Sequence, residues 1–203
     1  MARPAVDLIR RKELIRATMT AIHRAGLAEP TVAAICKYAG LSSVSIVNHY
    51  FKSKQDLLEC TMRDLAGDFL GEVALRAGSA QSPTDRVFAV IDANFAPSQC
   101  TPEAVSSWLW FWSRTPSSTV FADIERATHR HIITELKRGL ALLLPANEVD
   151  DAAEGLMALM YGMWLRFALN PKILDVEAAR RITRDHFLLR LQASAAASGP
   201  VRF

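Results

Sequence analysis

The polar side chains between residues 31 and 50 have the spacing that a short helix needs to read DNA. The segment is a short helix, a turn containing Ala39 and Gly40, and a second short helix, which is the pattern of a helix-turn-helix. The second helix presents short donors and acceptors that can approach base edges or phosphates. These are Ser43, Ser45, Asn48 and His49. The alternative is a packed helical hairpin with a solvated polar face.

Positive charge accompanies this segment. Lys52 and Lys54 stand at the start of the next predicted helix, where backbone N–H groups and the helix dipole add to their charge. Residues 1–54 hold nine basic against three acidic side chains, a net charge of +6, whereas residues 55–203 hold fifteen against eighteen, a net charge of −3. A basic first part favours a polyanionic partner, and the motif makes that partner double-stranded DNA.

A second set of residues is suited to binding a small molecule. All four Trp lie between residues 108 and 164. Trp108, Phe111 and Trp112 share one helix face at i, i+3 and i+4, while Trp110 points away. A cage of aromatic faces suits a quaternary ammonium group, which cannot donate hydrogen bonds and is attracted by ring quadrupoles. The same clustering is also typical of an ordinary core in an all-α protein.

Two other kinds of chemistry are not predicted. In His129-x-His131 the two imidazoles lie on nearly opposite sides of a helix, so only His131 and Glu135 share a face and a metal site is not expected. The sequence has no nucleophile elbow, phosphate loop or ligand-spaced Cys/His set, so neither a cofactor nor an enzyme is predicted. A helical hydrolase or a binding-only module is the alternative, and turnover of a quaternary ammonium compound by the pure protein would favour the hydrolase.

The elements that must position these residues are predicted to be helices alone. Helical periodicity fills the segments between prolines, and no run alternates long enough to form a strand, so the fold class is all-α. Val32, Ile35 and Leu41, with Ile46 or Val47, are expected to form the small core of the helix-turn-helix. Thr31, Ser42 or Ser43, Ser82, Thr101, Asn147 and Asp175 are predicted N-caps. The nine helices are 7–25, 31–40, 43–50, 54–77, 83–95, 102–114, 117–144, 148–169 and 176–193, followed by an Ala/Ser-rich tail (193–199) expected to fray.

The composition places the chain among cytoplasmic globular proteins. Its 203 residues are 50% hydrophobic and 22% charged, with a net charge of +3, which excludes disordered, collagen-like and disulfide-rich classes. No apolar stretch is long enough to span a membrane, and the charges at residues 10–13 fall where a signal peptide needs its apolar segment. Cys36, Cys60 and Cys100 are odd in number and widely spaced, which indicates reduced thiols.

Three stretches resemble the signature of the TetR family of one-component regulators. They are Ala39-Gly40-Leu41-Ser42, then His49-Tyr50-Phe51-Lys52-Ser53-Lys54, then Leu57-Leu58. The resemblance implies a helix-turn-helix DNA-binding domain at 1–54, an effector-binding and dimerisation domain at 55–203, and operator DNA as partner. Eight residues separate Gly40 from His49 where the family pattern has seven, so Ser42 or Ser43 is the extra residue in the turn. The implied DNA-binding residues are Thr31, Ser42, Ser43, Ser45, Asn48, His49, Tyr50, Lys52 and Lys54.

Further stretches are similar to the choline-responsive repressors within that family. They are Ile9–Ile15, Leu58–Asp64, Asn94-Phe95, Trp108–Trp112 and Gly162–Leu169. The resemblance implies repression of choline-to-glycine-betaine genes and an effector that is choline or a related quaternary ammonium compound. The alternative is a TetR-type repressor of another pathway, such as efflux or catabolism, that senses a different hydrophobic or cationic ligand. The implied ligand-binding residues are Asn94, Phe95, Trp108, Phe111, Trp112, Tyr161 and Trp164, with Asp92 as a candidate counter-charge.

A homodimer is expected from the last two helices. The helix at 148–169 is apolar on nearly every side, so it must be covered by its own core and by a partner subunit. The helix at 176–193 would complete a four-helix interface with its symmetry mate.

Overall fold

The protein is described by a computed structural model over residues 3–26, 28–170 and 175–197. Within those ranges it consists of α-helices joined by turns, without β-strands, which confirms the all-α prediction. No helix in the described ranges is long and apolar enough to cross a lipid bilayer. The nine α-helices of these ranges are α1 (Arg3–Ala25), α2 (Val32–Tyr38), α3 (Ser45–Tyr50), α4 (Lys54–Gly78), α5 (Pro83–Asn94), α6 (Pro102–Arg114), α7 (Thr119–Leu140), α8 (Val149–Leu169) and α9 (Val176–Ala197).

Helix starts follow local capping chemistry, as predicted. The hydroxyls of Thr31, Ser82 and Thr101 each accept a hydrogen bond from the backbone N–H three residues later, at 3.1, 3.0 and 3.1 Å. Each bond satisfies one of the N–H groups that a helix start leaves without an intrahelical partner. Asp175 caps α9 in the same way, at 2.6 Å from the N–H of Ala178.

Three predictions around residues 117–148 are wrong. The helix predicted at 117–144 starts later, after Ser118, whose hydroxyl accepts from the N–H of Phe121 at 3.3 Å, and it ends at Leu140. Pro145 disfavours α geometry in the residue before it, so the chain leaves the helix through tight turns. The Leu-rich sequence before this proline nevertheless continues the helical pattern, which is why the end of the helix was predicted too late. Asn147 is not an N-cap, because it lies inside a 3₁₀ helix, Ala146–Glu148, that leads into α8.

Both ends of the described chain are more helical than predicted. Helix α1 starts at Arg3 instead of residue 7, since proline at position 4 is compatible with the first helical turn. Helix α9 continues to Ala197, so residues 193–197 of the expected frayed tail are helical. Ser194 is buried and its hydroxyl lies 3.2 Å from a carboxylate oxygen of Glu148, which holds this end. Residues 198 and 199 of the tail lie outside the described ranges.

The chain packs into two compact units. The first comprises Met1–Asp68 with Thr101–Ala127, and the second comprises Phe69–Cys100 with Thr128–Phe203. Helix α4 therefore begins in the first unit and ends in the second. These units are defined by packing, so the domains 1–54 and 55–203 stay a prediction. The core of the first unit contains the predicted helix-turn-helix core: Ile35 and Val47 are buried, and Val32, Leu41 and Ile46 pack against them.

Candidate DNA interface and effector residues

The turn between α2 and α3 sets the direction in which α3 leaves the core. Gly40 has a φ of +68°, a conformation that L side chains rarely adopt. The N–H of Gly40 donates to the carbonyl of Lys37 at 3.2 Å, and the N–H of Leu41 donates to that of Cys36 at 2.8 Å. This pair of bonds is a Schellman motif, which ends α2 and satisfies its last carbonyls.

Helix α3 separates an inward apolar face from an outward polar face. Val47 and the following Phe51 are almost fully buried. Five of the predicted DNA-binding residues are exposed: Ser42, Ser43, Ser45, Asn48 and His49. The Ser43 hydroxyl accepts from the N–H of Ser45, two residues on, at 3.3 Å, and Val44 between them already has helical dihedral angles (φ −70°, ψ −21°). Ser43 therefore caps the start of α3, as one of the two predicted serines.

The other four predicted DNA-binding residues, Thr31, Tyr50, Lys52 and Lys54, differ in the contacts that they make within the protein. Lys52 is exposed, and its side chain forms no ion pair within the described ranges. The ammonium of Lys54 pairs with the carboxylate of Glu29, and this hydrogen bond lowers the pKa of Glu29 below its ordinary value. Tyr50 is half-buried, with the His49 ring edge-on at 4.7 Å, and Thr31 is exposed at the start of α2. Lys52 is therefore the more available cation.

Arg11 fixes the end of α3 and was missed by the sequence reasoning. Its guanidinium donates to the carbonyl of Tyr50, lies 4.2 Å from the ring centroid of Phe51, and reaches the Cys60 sulfur at 3.6 Å. A cation at a helix C-terminus meets the negative end of the dipole, so Arg11 stabilises α3 against α1 and α4. Arg11 and Tyr50 are 39 positions apart, so no local pattern could reveal the pair.

The aromatic side chains of α6 form two groups. Trp108 and Trp112 form a pair of neighbouring rings, whereas Trp110 and Phe111 pack into a buried cluster with Phe121. Trp108 is buried and Trp112 half-buried, with ring centroids 5.7 Å apart and an interplanar angle of 34°. Phe111, predicted to share their face, is fully buried and packs edge-on against Phe121 at 5.3 Å. Trp110 is also buried, with centroids 5.3 Å from Phe111. The predicted face of three rings is therefore reduced to the Trp108–Trp112 pair.

Helix α6 is also tied to the N-terminal helices within the first unit. The indole N–H of Trp110 donates to the carbonyl of Ala28, just after α1, at 3.2 Å. His23 Nδ1 and the Ser106 hydroxyl are 2.8 Å apart and link the last turn of α1 to α6. One helix thus carries the Trp108–Trp112 pair and the contacts to the helices that support α3.

The other predicted effector residues belong to the second unit. Asn94, Phe95 and Trp164 are buried, and Tyr161 is half-buried with its ring 6.5 Å from that of His129. The side-chain nitrogen of Asn94 has no hydrogen-bond partner within the described part of the chain. A buried amide donor without a partner is costly, and it is satisfied when a water or ligand oxygen is present.

Neither the candidate counter-charge Asp92 nor the carboxylate of Glu135 is free. Asp92 forms a two-point ion pair with Arg184, whose Nε lies 2.9 Å from one carboxylate oxygen and whose guanidinium stacks on Phe88. Glu135 accepts from Arg86 at 3.2 Å and from Arg138. In the described ranges no three His, Cys, Asp or Glu side chains come together as metal ligands.

Comparison with protein families gives two matches. Residues 14–60 match the family described as bacterial regulatory proteins, tetR family. Residues 83–191 match the family described as BetI-type transcriptional repressor, C-terminal.

Curated relatives match over nearly the whole chain. An HTH-type transcriptional regulator BetI from Stenotrophomonas maltophilia is 38% identical, covering 96% of this chain and 100% of that protein. The protein of the same name from Vibrio vulnificus is 37% identical, covering 92% of this chain and 94% of that protein. The one from Escherichia coli is 36% identical, covering 93% of this chain and 96% of that protein.

Solved structures share the fold at lower identity. A TetR transcription regulator from Haloarcula marismortui matches with a TM-score of 0.76 and 20% identity, over 91% of this chain and 97% of that chain. A transcriptional regulator from Saccharomonospora viridis, solved in complex with choline, matches with a TM-score of 0.74 and 17% identity, over 88% of this chain and 95% of that chain.

Replacing Lys52 with alanine tests the cationic face. Lys52→Ala is expected to weaken binding to any duplex, including one of random sequence. It should also reduce the slope of log affinity against log salt by about one unit per subunit, because each subunit loses one phosphate contact. Fluorescence anisotropy between low and moderate salt measures both quantities. Lys137→Ala is the matched control, since this lysine of α7 pairs with Asp150. An unchanged slope in Lys52→Ala would place the phosphate contacts elsewhere.

Proposed function

We propose, from the premise that this chain belongs to the TetR family of bacterial regulatory proteins and has a BetI-type C-terminal part, that it represses choline-to-glycine-betaine genes and responds to choline. Regulators of this type are DNA-binding repressors and not enzymes. The observation that carries the proposed effector is the Trp108–Trp112 ring pair on α6. A related quaternary ammonium compound would satisfy the same chemistry.

The chemistry of choline agrees with these side chains. Its trimethylammonium group offers no N–H to a carboxylate, whereas each indole face attracts it by about 0.5–2 kcal/mol. The Saccharomonospora viridis regulator supports the proposal in that this fold holds choline in that protein.

A second candidate effector is a different hydrophobic or cationic molecule sensed by a repressor of another pathway. The pairing of Asp92 with Arg184 favours this alternative, because the carboxylate considered as a counter-charge is already neutralised. Aromatic faces also suit an uncharged apolar ligand.

Helix α6 supports a route from effector to DNA. A ligand that binds beside the rings of Trp108 and Trp112, whose centroids are only 5.7 Å apart, would push on the helix that carries them. The same helix holds the end of α1 through Trp110 and Ser106. A packed interior responds to such a shift by moving neighbouring helices, because it has no space to absorb it. The effector then favours dimers in which the two α3 helices no longer fit successive major grooves.

The proposed dimer forms through α8 and α9, and exposed apolar side chains support it. On α8, Gly155, Ala158, Gly162, Leu165 and Leu169 are all exposed and follow one another at three- and four-residue spacing. Such a stripe lies along one helix face and lets a second helix approach closely. On α9, Leu188 and Leu189 are exposed. TetR-type regulators typically act as dimers, and two copies of this surface would form a four-helix interface.

Sedimentation velocity at micromolar concentration tests the dimer. The wild type is expected at twice the 22.4 kDa mass of one chain. Ala158→Arg is expected to sediment as a monomer, because a charge in the centre of the stripe prevents close helix approach. Ala127→Arg, at an exposed position of α7, is expected to stay dimeric. A monomeric wild type, or a dimeric Ala158→Arg, would contradict this interface.

Removal of one ring tests the effector site. Trp112→Ala is expected to bind an operator, selected from a random duplex pool, within about threefold of wild type and to lose release by millimolar choline, because a cation–π face is gone. Trp112→Phe, which keeps a ring, is the matched control and is expected to keep most of the response. A normal choline response in Trp112→Ala would place the site elsewhere. A wild type that binds the operator but ignores choline would favour the second candidate effector.

A further inference from the structure

Lys54 and Glu29 form an ion pair at the proposed DNA face. Lys54 is one of the predicted DNA-binding residues, and its ammonium contacts the Glu29 carboxylate. The Lys54 side chain is 31% exposed and that of Glu29 is 54% exposed. Ion pairs between exposed side chains are usually weak, because pairing costs side-chain entropy and salt screens the charges. This pair can affect DNA binding only if the backbone holds both partners in place.

The backbone of Glu29 is fixed on both sides. The carbonyl of Ala28 accepts the hydrogen bond from the Trp110 indole at 3.2 Å, and the Thr31 hydroxyl caps α2. Between them Pro30 is buried, and a proline restricts the backbone of the residue before it. Glu29 therefore extends from a segment that is attached to α6 at one end and to the helix-turn-helix at the other.

The backbone of Lys54 is fixed as well. Lys54 is the first residue of α4, and the Ser53 hydroxyl before it accepts from the N–H of Asp56 at 3.1 Å. The Asp56 carboxylate accepts in turn from the N–H of Lys52 at 2.9 Å. These two bonds order the first turn of α4, much as a capping box does. Glu29 and Lys54 therefore pair from two ordered segments, so less entropy is lost than in an ordinary surface pair.

We propose that Glu29 sets the affinity of the protein for DNA by competing with the phosphate backbone for Lys54. A carboxylate offers a lysine the same kind of charge-assisted hydrogen bond that a phosphate oxygen offers. This role of Glu29 rests on the proposed function, in which this face meets the duplex. Lys54 then strengthens binding only to the extent that a phosphate displaces Glu29.

Counterion release gives this competition a measurable signature. A free lysine that contacts a phosphate releases one counterion from DNA, which adds about one unit to the slope of log affinity against log salt. A lysine that must leave a carboxylate adds much less, because the bared carboxylate attracts a cation in turn. Glu29 is charged at neutral pH, since the hydrogen bond from Lys54 lowers its pKa and the charge of Arg114 acts in the same direction.

The test compares Glu29→Gln with the wild type on a duplex of random sequence, by fluorescence anisotropy. Glu29→Gln is expected to bind about two- to fivefold more tightly for each subunit, because Lys54 no longer has to leave a carboxylate. The salt slope is expected to steepen by about one unit per subunit. Lys54→Met keeps the aliphatic stem and removes the charge. It is expected to leave the slope of the wild type unchanged and to cancel both gains of Glu29→Gln in the double variant.

Asp123→Asn is the matched control, since it removes one negative charge from the first unit and releases Arg126 of α7 from an ion pair. It is expected to change affinity by less than about twofold. Tighter and more salt-sensitive binding by Glu29→Gln that requires Lys54 supports the competition.

Three results overturn the competition while the proposed function stands. They are unchanged binding by Glu29→Gln, weaker binding by Glu29→Gln, and a gain that persists in the double variant with Lys54→Met. Because the duplex is random and no choline is present, a wild type that ignores choline contradicts the proposed effector and not this role of Glu29. A wild type that binds no duplex would contradict both.

Discussion

The hydrogen bond from the Trp110 indole to the Ala28 carbonyl joins α6 to the N-terminal helices, and the proposed switch depends on it. The bond lies beside a buried cluster in which Trp110, Phe111 and Phe121 pack edge to edge. Aromatic packing of this density leaves α6 little freedom to move independently of α1. Since α6 also carries Trp108 and Trp112, the proposed effector on those rings would act directly on the first unit.

The proposed DNA face depends on two further constraints within the same unit. The Schellman motif at Gly40 sets the direction in which the chain leaves α2. Arg11 holds the other end of α3 through the Tyr50 carbonyl and the Phe51 ring. A six-residue helix is too short to be stable alone, so these attachments and the burial of Val47 position its outward side chains. The exposed polar residues can then recognise DNA without contributing to the core.

Local chemistry made much of this architecture predictable. Thr31, Ser82 and Thr101 identify helix starts from their own hydroxyls, and the TetR signature identifies the DNA-binding segment. Interactions between residues distant in sequence were not predictable: Arg11 with Tyr50, Trp110 with Ala28, and Lys54 with Glu29. The Leu-rich run before Pro145 continued a helical pattern where the backbone turns, so the end of α7 was misplaced. The spacing of Phe111 placed it beside Trp108, but the packing of Phe121 draws it into the core.

The reciprocity of effector and DNA binding tests the central claim most directly. Calorimetry gives the Kd of choline for the free protein and for its operator complex, and anisotropy gives the Kd of the operator without and with saturating choline. Linkage requires one coupling free energy, so operator should weaken choline binding by the same factor by which choline weakens operator binding. Choline that binds both forms with equal affinity, leaving operator affinity unchanged, would contradict a switch transmitted from the α6 rings to α3.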